Sequence, residues 1–183
     1  MIHLLLKTTQ FIPDAFEPSI FDIDFQKWYD QGKRLIVSDL DNTLISYEDE
    51  GPTQSVLGLF EDLEDMGFEV IIMSNNVPKR MEVFIKGLEI KGVANARKPL
   101  IRHIKKELVN HKLDEVLLVG DQLMTDVWAA KRLGASVVLV NPIKRKTEKW
   151  YTRFNRKIEV KMLQKIKRKY PKTYQELKLD ERR

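Results

Sequence analysis

Residues 35–44 read Leu35-Ile36-Val37-Ser38-Asp39-Leu40-Asp41-Asn42-Thr43-Leu44, an apolar run that stops at two aspartates one residue apart. An unalternated run of bulky and β-branched residues predicts a strand covered on both faces, as in the parallel sheets of α/β proteins. Such a strand delivers its following loop to the edge where open α/β sheets bind ligands. Asp39 and Asp41 are then two carboxylates at one strand tip. One can attack phosphorus as an oxygen nucleophile, and the other can move the proton of a leaving group. Their mutual repulsion invites a divalent cation. The same residues could also form a plain polar turn, with Asn42 and Thr43 as turn or cap residues. The rest of the chain has to decide.

Downstream, apolar runs alternate with amphipathic stretches. Thr53 or Gln54 opens a helix whose inner face is Val56, Leu57, Phe60 and Leu63, ending near Gly67. Phe68–Met73 is a second strand, stopped at Ser74-Asn75-Asn76, and Pro78 begins a helix using Met81, Phe84, Ile85 and Leu88. Gly92–Ala96 is a weak third strand. Arg97-Lys98-Pro99 follows, with Pro99 suited to the first position of a helix running to about Asn110. Glu115–Val119 is a fourth strand ending at Gly120-Asp121. A helix carrying Val127, Trp128, Ala130 and Leu133 stops at Gly134, and Ser136–Val140 is a fifth strand. This alternation predicts right-handed βαβ units and a three-layer α/β sandwich around a parallel sheet. Residues 1–30 are too apolar for a disordered arm. They read as short turns on the domain surface, ending in a short helix from Asp24 to Gln31 before Gly32.

The chain has 183 residues, enough for a sizeable core, and no cysteine, which fits a reducing compartment. No secretory pattern opens it and no run approaches the roughly 18 apolar residues of a membrane span. The expectation is a cytoplasmic protein, peripheral on the inner face of the membrane if it touches one. The net charge of +5 is unevenly spread. Residues 144–183 hold 16 Lys and Arg against 5 Asp and Glu, while residues 1–143 are net acidic. The sequence therefore divides into a domain, 1–143, and a basic amphipathic tail, 144–183, that suits an anionic partner.

Several strand tips now carry chemistry: Asp39 and Asp41, then Ser74 and Asn75, then Gly120-Asp121 with Asp126, while Lys98 sits at a fourth junction. In a doubly wound sheet these tips share one edge. Ser74, Asn75 and Lys98 can supply a hydroxyl, an amide and an ammonium to a phosphate. Asp39, Asp121 and Asp126 can supply the oxygens that magnesium prefers. The three histidines, His3, His103 and His111, have no partner pattern and read as structural or solvated.

Taken together, Asp39-Leu40-Asp41-Asn42-Thr43, Ser74 after Ile71-Ile72-Met73, Lys98 before Pro99, and Gly120 to Asp126 resemble the four motifs of haloacid dehalogenase-like (HAD) phosphatases. The likeness extends through Ile12-Pro13, Phe21-Asp22-Ile23, Ser74-Asn75-Asn76, Ala96-Arg97-Lys98-Pro99 and Thr152-Arg153-Phe154-Asn155-Arg156. This wider pattern is similar to the YqeG group of bacterial HAD-IIIA proteins. That group is related to the mitochondrial and plastid phosphatases that convert phosphatidylglycerophosphate to phosphatidylglycerol. Trp128-Ala129-Ala130-Lys131 departs from the glycine-containing stretch expected there. The resemblance implies a five-stranded sheet of order 3-2-1-4-5. It implies Asp39 as the nucleophile and a Mg2+ ligand, and Asp41 as general acid and base with its carbonyl on the metal. Thr43 would steady the loop, Ser74 with Asn75 would hold the phosphate, and Lys98 would offset the charge. Asp121 and Asp126 would bind Mg2+, Asp126 directly or through water.

Neither gap between these motifs has room for a cap domain, so the site should stay open to substrates too large to enclose. In the tail, Trp150, Phe154, Ile158, Met162 and Ile166 recur every four residues among lysines and arginines. Such a helix can lie in a membrane interface, each basic residue adding about 1 kcal/mol near anionic lipid. It can equally pack back on the domain, and an RNA-binding tail is a third reading. Pro171 should end it, leaving the last residues loose. The expected activity is magnesium-dependent phosphomonoester hydrolysis through an aspartyl-phosphate. The expected substrate is phosphatidylglycerophosphate at the membrane surface. The alternatives are a phosphatase for a protein or soluble phosphoester, and a non-catalytic protein that holds nucleic acid with its basic tail.

Overall fold

The computed structural model describes residues 7–143 and 150–182. Its centre is one sheet of six parallel strands: β1 (Ala15–Glu17), β2 (Leu35–Ser38), β3 (Glu69–Met73), β4 (Lys91–Val93), β5 (Val116–Gly120) and β6 (Ser136–Val140). Across the sheet the order is β1-β6-β5-β2-β3-β4. The sheet thus differs from the five-stranded 3-2-1-4-5 expectation by a sixth strand, β1, added beside β6. Ala15, Phe16 and Glu17 face Val138, Leu139 and Val140. Asp14 anchors the join, accepting from the Val137 backbone at 2.8 Å and from Lys131 Nζ at 2.6 Å.

Among the described residues seven α-helices surround the sheet: α1 (Phe25–Asp30), α2 (Gln54–Asp65), α3 (Pro78–Ile85), α4 (Ile101–Glu107), α5 (Trp128–Leu133), α6 (Trp150–Lys169) and α7 (Pro171–Glu176). Local chemistry sets their ends. Asp24 caps α1 by accepting from Lys27 N at 3.0 Å, and Thr53 caps α2 by accepting from Val56 N at 3.3 Å. Gly134 ends α5 with φ +80°, a left-handed turn that costs glycine little. Pro99 does not open a helix as expected. It follows a cis bond to Lys98, and α4 begins two residues later at Ile101.

Alternation along β2 explains the two covered faces. Leu35 and Val37 join one apolar layer with Ile71, Met73, Leu118, Leu139 and the helix residues Ile104, Ala130 and Leu133. Ile36 points the other way, into Phe25, Val56, Phe60, Leu63, Ile72 and Phe84. The central strands β2 and β5 are thus buried on both sides, and the molecule is an α/β sandwich of three layers.

Across the boundary at 143/144 the core is continuous. Met162 and Ile166 of α6 are fully buried in the layer that holds Phe11 and Leu123. Phe154, eight and twelve residues before them on the expected stripe, is 59 % exposed. A strict spacing of four drifts about 40° per step around a helix, so one stripe cannot stay on one face. The last residues are not loose. Pro171 ends α6 and opens α7, after which Tyr174 and Leu179 bury themselves against the body. No helix among the described residues is long and apolar enough to cross a membrane.

Candidate active site

Past Ser38 the chain leaves β2 but keeps one sheet bond, Asp39 N to Val119 O at 2.9 Å. Leu40 anchors inward, and Asn42 takes φ +67° to turn the loop. Asp41 and Ile45 form an isolated bridge, with Asn42 N donating to Ile45 O at 2.7 Å. The backbone therefore holds this loop. Thr43, expected to steady it, is buried with a hydroxyl that has no hydrogen-bond partner among the described residues.

Asp39 and Asp41 face different neighbours. Asp39 Oδ1 receives Lys98 Nζ at 2.7 Å. Lys98 Nζ also lies 2.6 Å from Asp126 Oδ1 and donates to Met73 O at 2.9 Å. Asp41 turns toward the loop after β3. Its Oδ2 accepts from Ser74 Oγ at 3.2 Å and Asn76 Nδ2 at 3.3 Å, and Arg80 Nε sits 3.2 Å from Oδ1. Arg80 also donates to the carbonyls of Ser46 and Asp49, tying α3 to the loop before α2. Asn75 uses its amide on the Lys98 backbone, giving to Lys98 O at 2.9 Å and accepting from Lys98 N at 2.7 Å. It holds the lysine's loop while also lining the pocket.

Gly120 brings β5 to Asp121, and a tight π turn over Leu123–Val127 brings Asp126 back beneath it. A Cβ at Gly120 would collide with Asp126 Cγ, so only glycine admits this approach. Asp126 Oδ2 accepts from Gln122 N at 3.1 Å and Thr125 Oγ1 at 3.2 Å. Asp39, Asp121 and Asp126, all buried, can each place one carboxylate oxygen within 4.8 Å of the others'.

The charges in this cluster do not balance. Burial pushes the Asp39 carboxyl well above its ordinary range, and Lys98 only partly counters it against Asp126, Asp121 and Asp41. Burial likewise raises Asp121 to about 6 despite Arg156 beside it. Lys98 shows the reverse. Burial alone would lower it, but Asp126 and Asp39 outweigh burial and hold the ammonium charged. Surplus buried negative charge, all-oxygen donors and an Asp121 Oδ1 with no hydrogen-bond partner among the described residues suit a hard divalent cation. The residues present therefore fit magnesium.

A pocket opens above Asp39 and Asp41, bordered by Tyr47, Ser74, Asn76, Lys98 and, from α6, Thr152 and Asn155. Asp39, Asp41, Ser74, Asn75 and Lys98 all lie on it, while Asp121 and Asp126 do not line it and are buried beside Asp39. The sequence reading missed Arg80, Thr152, Asn155, Arg156, Glu159 and Arg182, which reach this region from α3 and the C-terminal segment. The run Thr152-Arg153-Phe154-Asn155-Arg156, given above only as likeness, and Glu159, an acid alone in a basic stretch three residues after Arg156, were the available signals.

Comparisons with known proteins bear on the family of the chain. Residues 1–144 match the family model described as mitochondrial PGP phosphatase. The "Probable phosphatase YqeG" of Bacillus subtilis (strain 168) is 35% identical over 161 residues, covering 87% of this chain and 93% of that protein. A crystal structure of an uncharacterized protein from Listeria monocytogenes serotype 4b superposes with a TM-score of 0.49 at 17% identity, covering 63% of this chain and 85% of that one. The chain is a phosphatase and belongs to the mitochondrial PGP phosphatase family.

Proposed function

We propose that the protein hydrolyses a phosphomonoester through an aspartyl-phosphate on Asp39, with magnesium bound, and that its substrate is phosphatidylglycerophosphate. The observation that carries the chemistry is the Asp39–Asp121–Asp126 cluster, gripped by Lys98, beneath an open pocket. Asp39 attacks phosphorus, the P–O bond to the leaving alcohol breaks, and Asp41 gives that oxygen its proton. Asp41 then takes a proton from water, the water oxygen attacks phosphorus, and the P–O bond to Asp39 breaks to release phosphate. Asp39, Asp121 and Asp126, with the Asp41 carbonyl, would hold magnesium, which when bound lowers the cost of charge on the transferred group. Lys98 favours the ionised form of Asp39, partly offsetting its burial, and meets phosphate charge from the other side. Ser74 and Asn76 both bond the Asp41 carboxylate, which orients it and leaves their donors beside an incoming phosphate.

The pocket's surroundings favour a lipid. Only a loop separates the Asp41 bridge from α2, and only α3 lies between β3 and β4, so no cap covers the mouth. Exposed apolar side chains stand around it. Val77 follows Asn76, Leu100 follows Lys98-Pro99, and Ile143 donates its backbone N–H to Asn42 O. Phe154 lies between Thr152 and Asn155. Exposed Lys79, Arg97, Arg153 and Lys157 are interspersed with them. Such a rim suits a bilayer surface bearing anionic headgroups.

The test is phosphate release from phosphatidylglycerophosphate in mixed micelles, with and without magnesium, beside an aryl phosphate. The expected result is magnesium-dependent turnover of the lipid, exceeding that of the aryl ester and lost in Asp39→Asn with its circular dichroism unchanged. Residual turnover in Asp39→Asn would remove it as nucleophile. Turnover of the aryl ester alone would keep the chemistry and reject the lipid.

A further inference from the structure

The C-terminal segment grips the acidic cluster. α6 sends Thr152, Arg156 and Glu159 into the body, and all three are buried. Arg156 pairs with Asp121 Oδ2 through Nη2 and donates to the Asp121 carbonyl through Nη1. Glu159 Oε2 lies 3.4 Å from Arg156 Nη1 and accepts from Leu123 N at 3.2 Å. Its other oxygen is paired with Arg182, which donates in turn to the carbonyls of Val140 and Asp121. Asp121 is thus held at Oδ2 and at its carbonyl, while Oδ1 is buried with no hydrogen-bond partner among the described residues.

We propose that Arg156 is a positioning residue for the cation. Its planar fork, bonded to Oδ2 and the main-chain carbonyl together, fixes the Asp121 side chain and reserves Oδ1 for the metal. Glu159 and Arg182 brace that fork. This rests on the reading of Asp121 as a magnesium ligand. It goes further in making cation affinity depend on a segment that lies outside the 1–144 family match. A guanidinium can hold two acceptors in fixed directions, whereas a lysine ammonium is a point charge that cannot. Two effects of opposite sign meet at Arg156. As a mere counter-charge it weakens the pull of Asp121 on a cation, so its removal tightens binding. As a positioning residue it holds the ligand ready, so its removal loosens binding.

The sign decides. Magnesium is titrated calorimetrically into the full chain as wild type, Arg156→Met, Arg156→Lys, Arg182→Met and Asp121→Asn, and melting is followed with and without magnesium. The proposal expects Arg156→Met to bind magnesium about tenfold more weakly or worse. Arg156→Lys, which keeps the charge and loses the fork, also weakens. Arg182→Met, which leaves the fork and removes its brace, loses less. The magnesium concentration for half-maximal turnover rises by the same factor, with kcat recovered at saturation. Unchanged or tighter binding in Arg156→Met overturns the proposal. Should that variant not fold, unchanged binding in both Arg156→Lys and Arg182→Met overturns it. A lower metal-free Tm with a wild-type rise on adding magnesium assigns Arg156 to fold stability alone, and also overturns it. Asp121→Asn separates the two readings. If it binds magnesium as wild type does, the metal site itself is wrong. If it loses binding while the Arg156 variants keep theirs, only the positioning role fails.

Discussion

Asp39, Asp121 and Asp126 share a dry space in which Lys98 and Arg156 are the adjacent cations, and the imbalance has a measurable sign. A carboxyl whose proton is held more tightly in the folded than in the unfolded chain stabilises the fold at low pH. That contribution is lost as pH rises through the folded value. For Asp121 the window runs from 3.8 to about 6, and Asp39 shifts in the same direction. In chelator, Tm should therefore carry a fall from Asp121 as pH is raised from about 4 to about 6, and that fall should shrink in Asp121→Asn. Added magnesium should restore Tm at the upper end. A profile identical in Asp121→Asn would mean that Asp121 does not hold its proton there. The residues in this site that were legible in sequence sit at strand tips, where an abrupt change from apolar to polar marks them. Arg156 stood out only as part of a run of family likeness, and neither its role nor that of Arg182 was legible. In a stretch with 16 basic residues, no spacing separates an arginine that meets a buried carboxylate from one that meets water.

At the scale of elements, α6 ties the C-terminal segment to the sheet. Met162 and Ile166 are fully buried, whereas Val160, two residues before Met162, is 52 % exposed. Met162→Ala or Ile166→Ala should cost about 2–5 kcal/mol of unfolding free energy, and Val160→Ala about 0.5 kcal/mol or less. Urea denaturation of the whole chain checks this. A free interfacial helix would give no loss for any of the three. Elements with a long apolar period were legible because burial on one or two faces writes itself into the sequence. β1 was not. It has three residues between Pro13 and Pro18, too few for a period, and its partner β6 lies about 120 residues further on, where no local signal can point. The same holds for α7, a short helix stabilised by what it covers.

The molecule as a whole gathers its loops on one sheet edge, because every strand runs in the same direction. That edge carries both the pocket and the ring of Val77, Leu100, Ile143 and Phe154. Leu100 and Phe154 are 57 % and 59 % exposed, so a membrane could cover area that the protein leaves wet. Burying a side chain of this size is worth about 1.5–3 kcal/mol. Leu100→Ser with Phe154→Ser should lower partitioning onto anionic vesicles by about tenfold or more, with aryl phosphate turnover unchanged. Co-sedimentation reads the first and a soluble assay the second. Unaltered partitioning would show that this edge does not meet the bilayer.

The grip on Asp121 comes from 35 and 61 residues further along the chain. Synthesis runs in that direction, so β5 and β6 emerge from the ribosome well before Arg156, and Arg182 follows later still. A chain still being made can finish its sheet and cluster its carboxylates while lacking the guanidinium groups that brace them. Translation thus separates completion of the sheet from completion of the braced acidic cluster, and the second waits for residue 182.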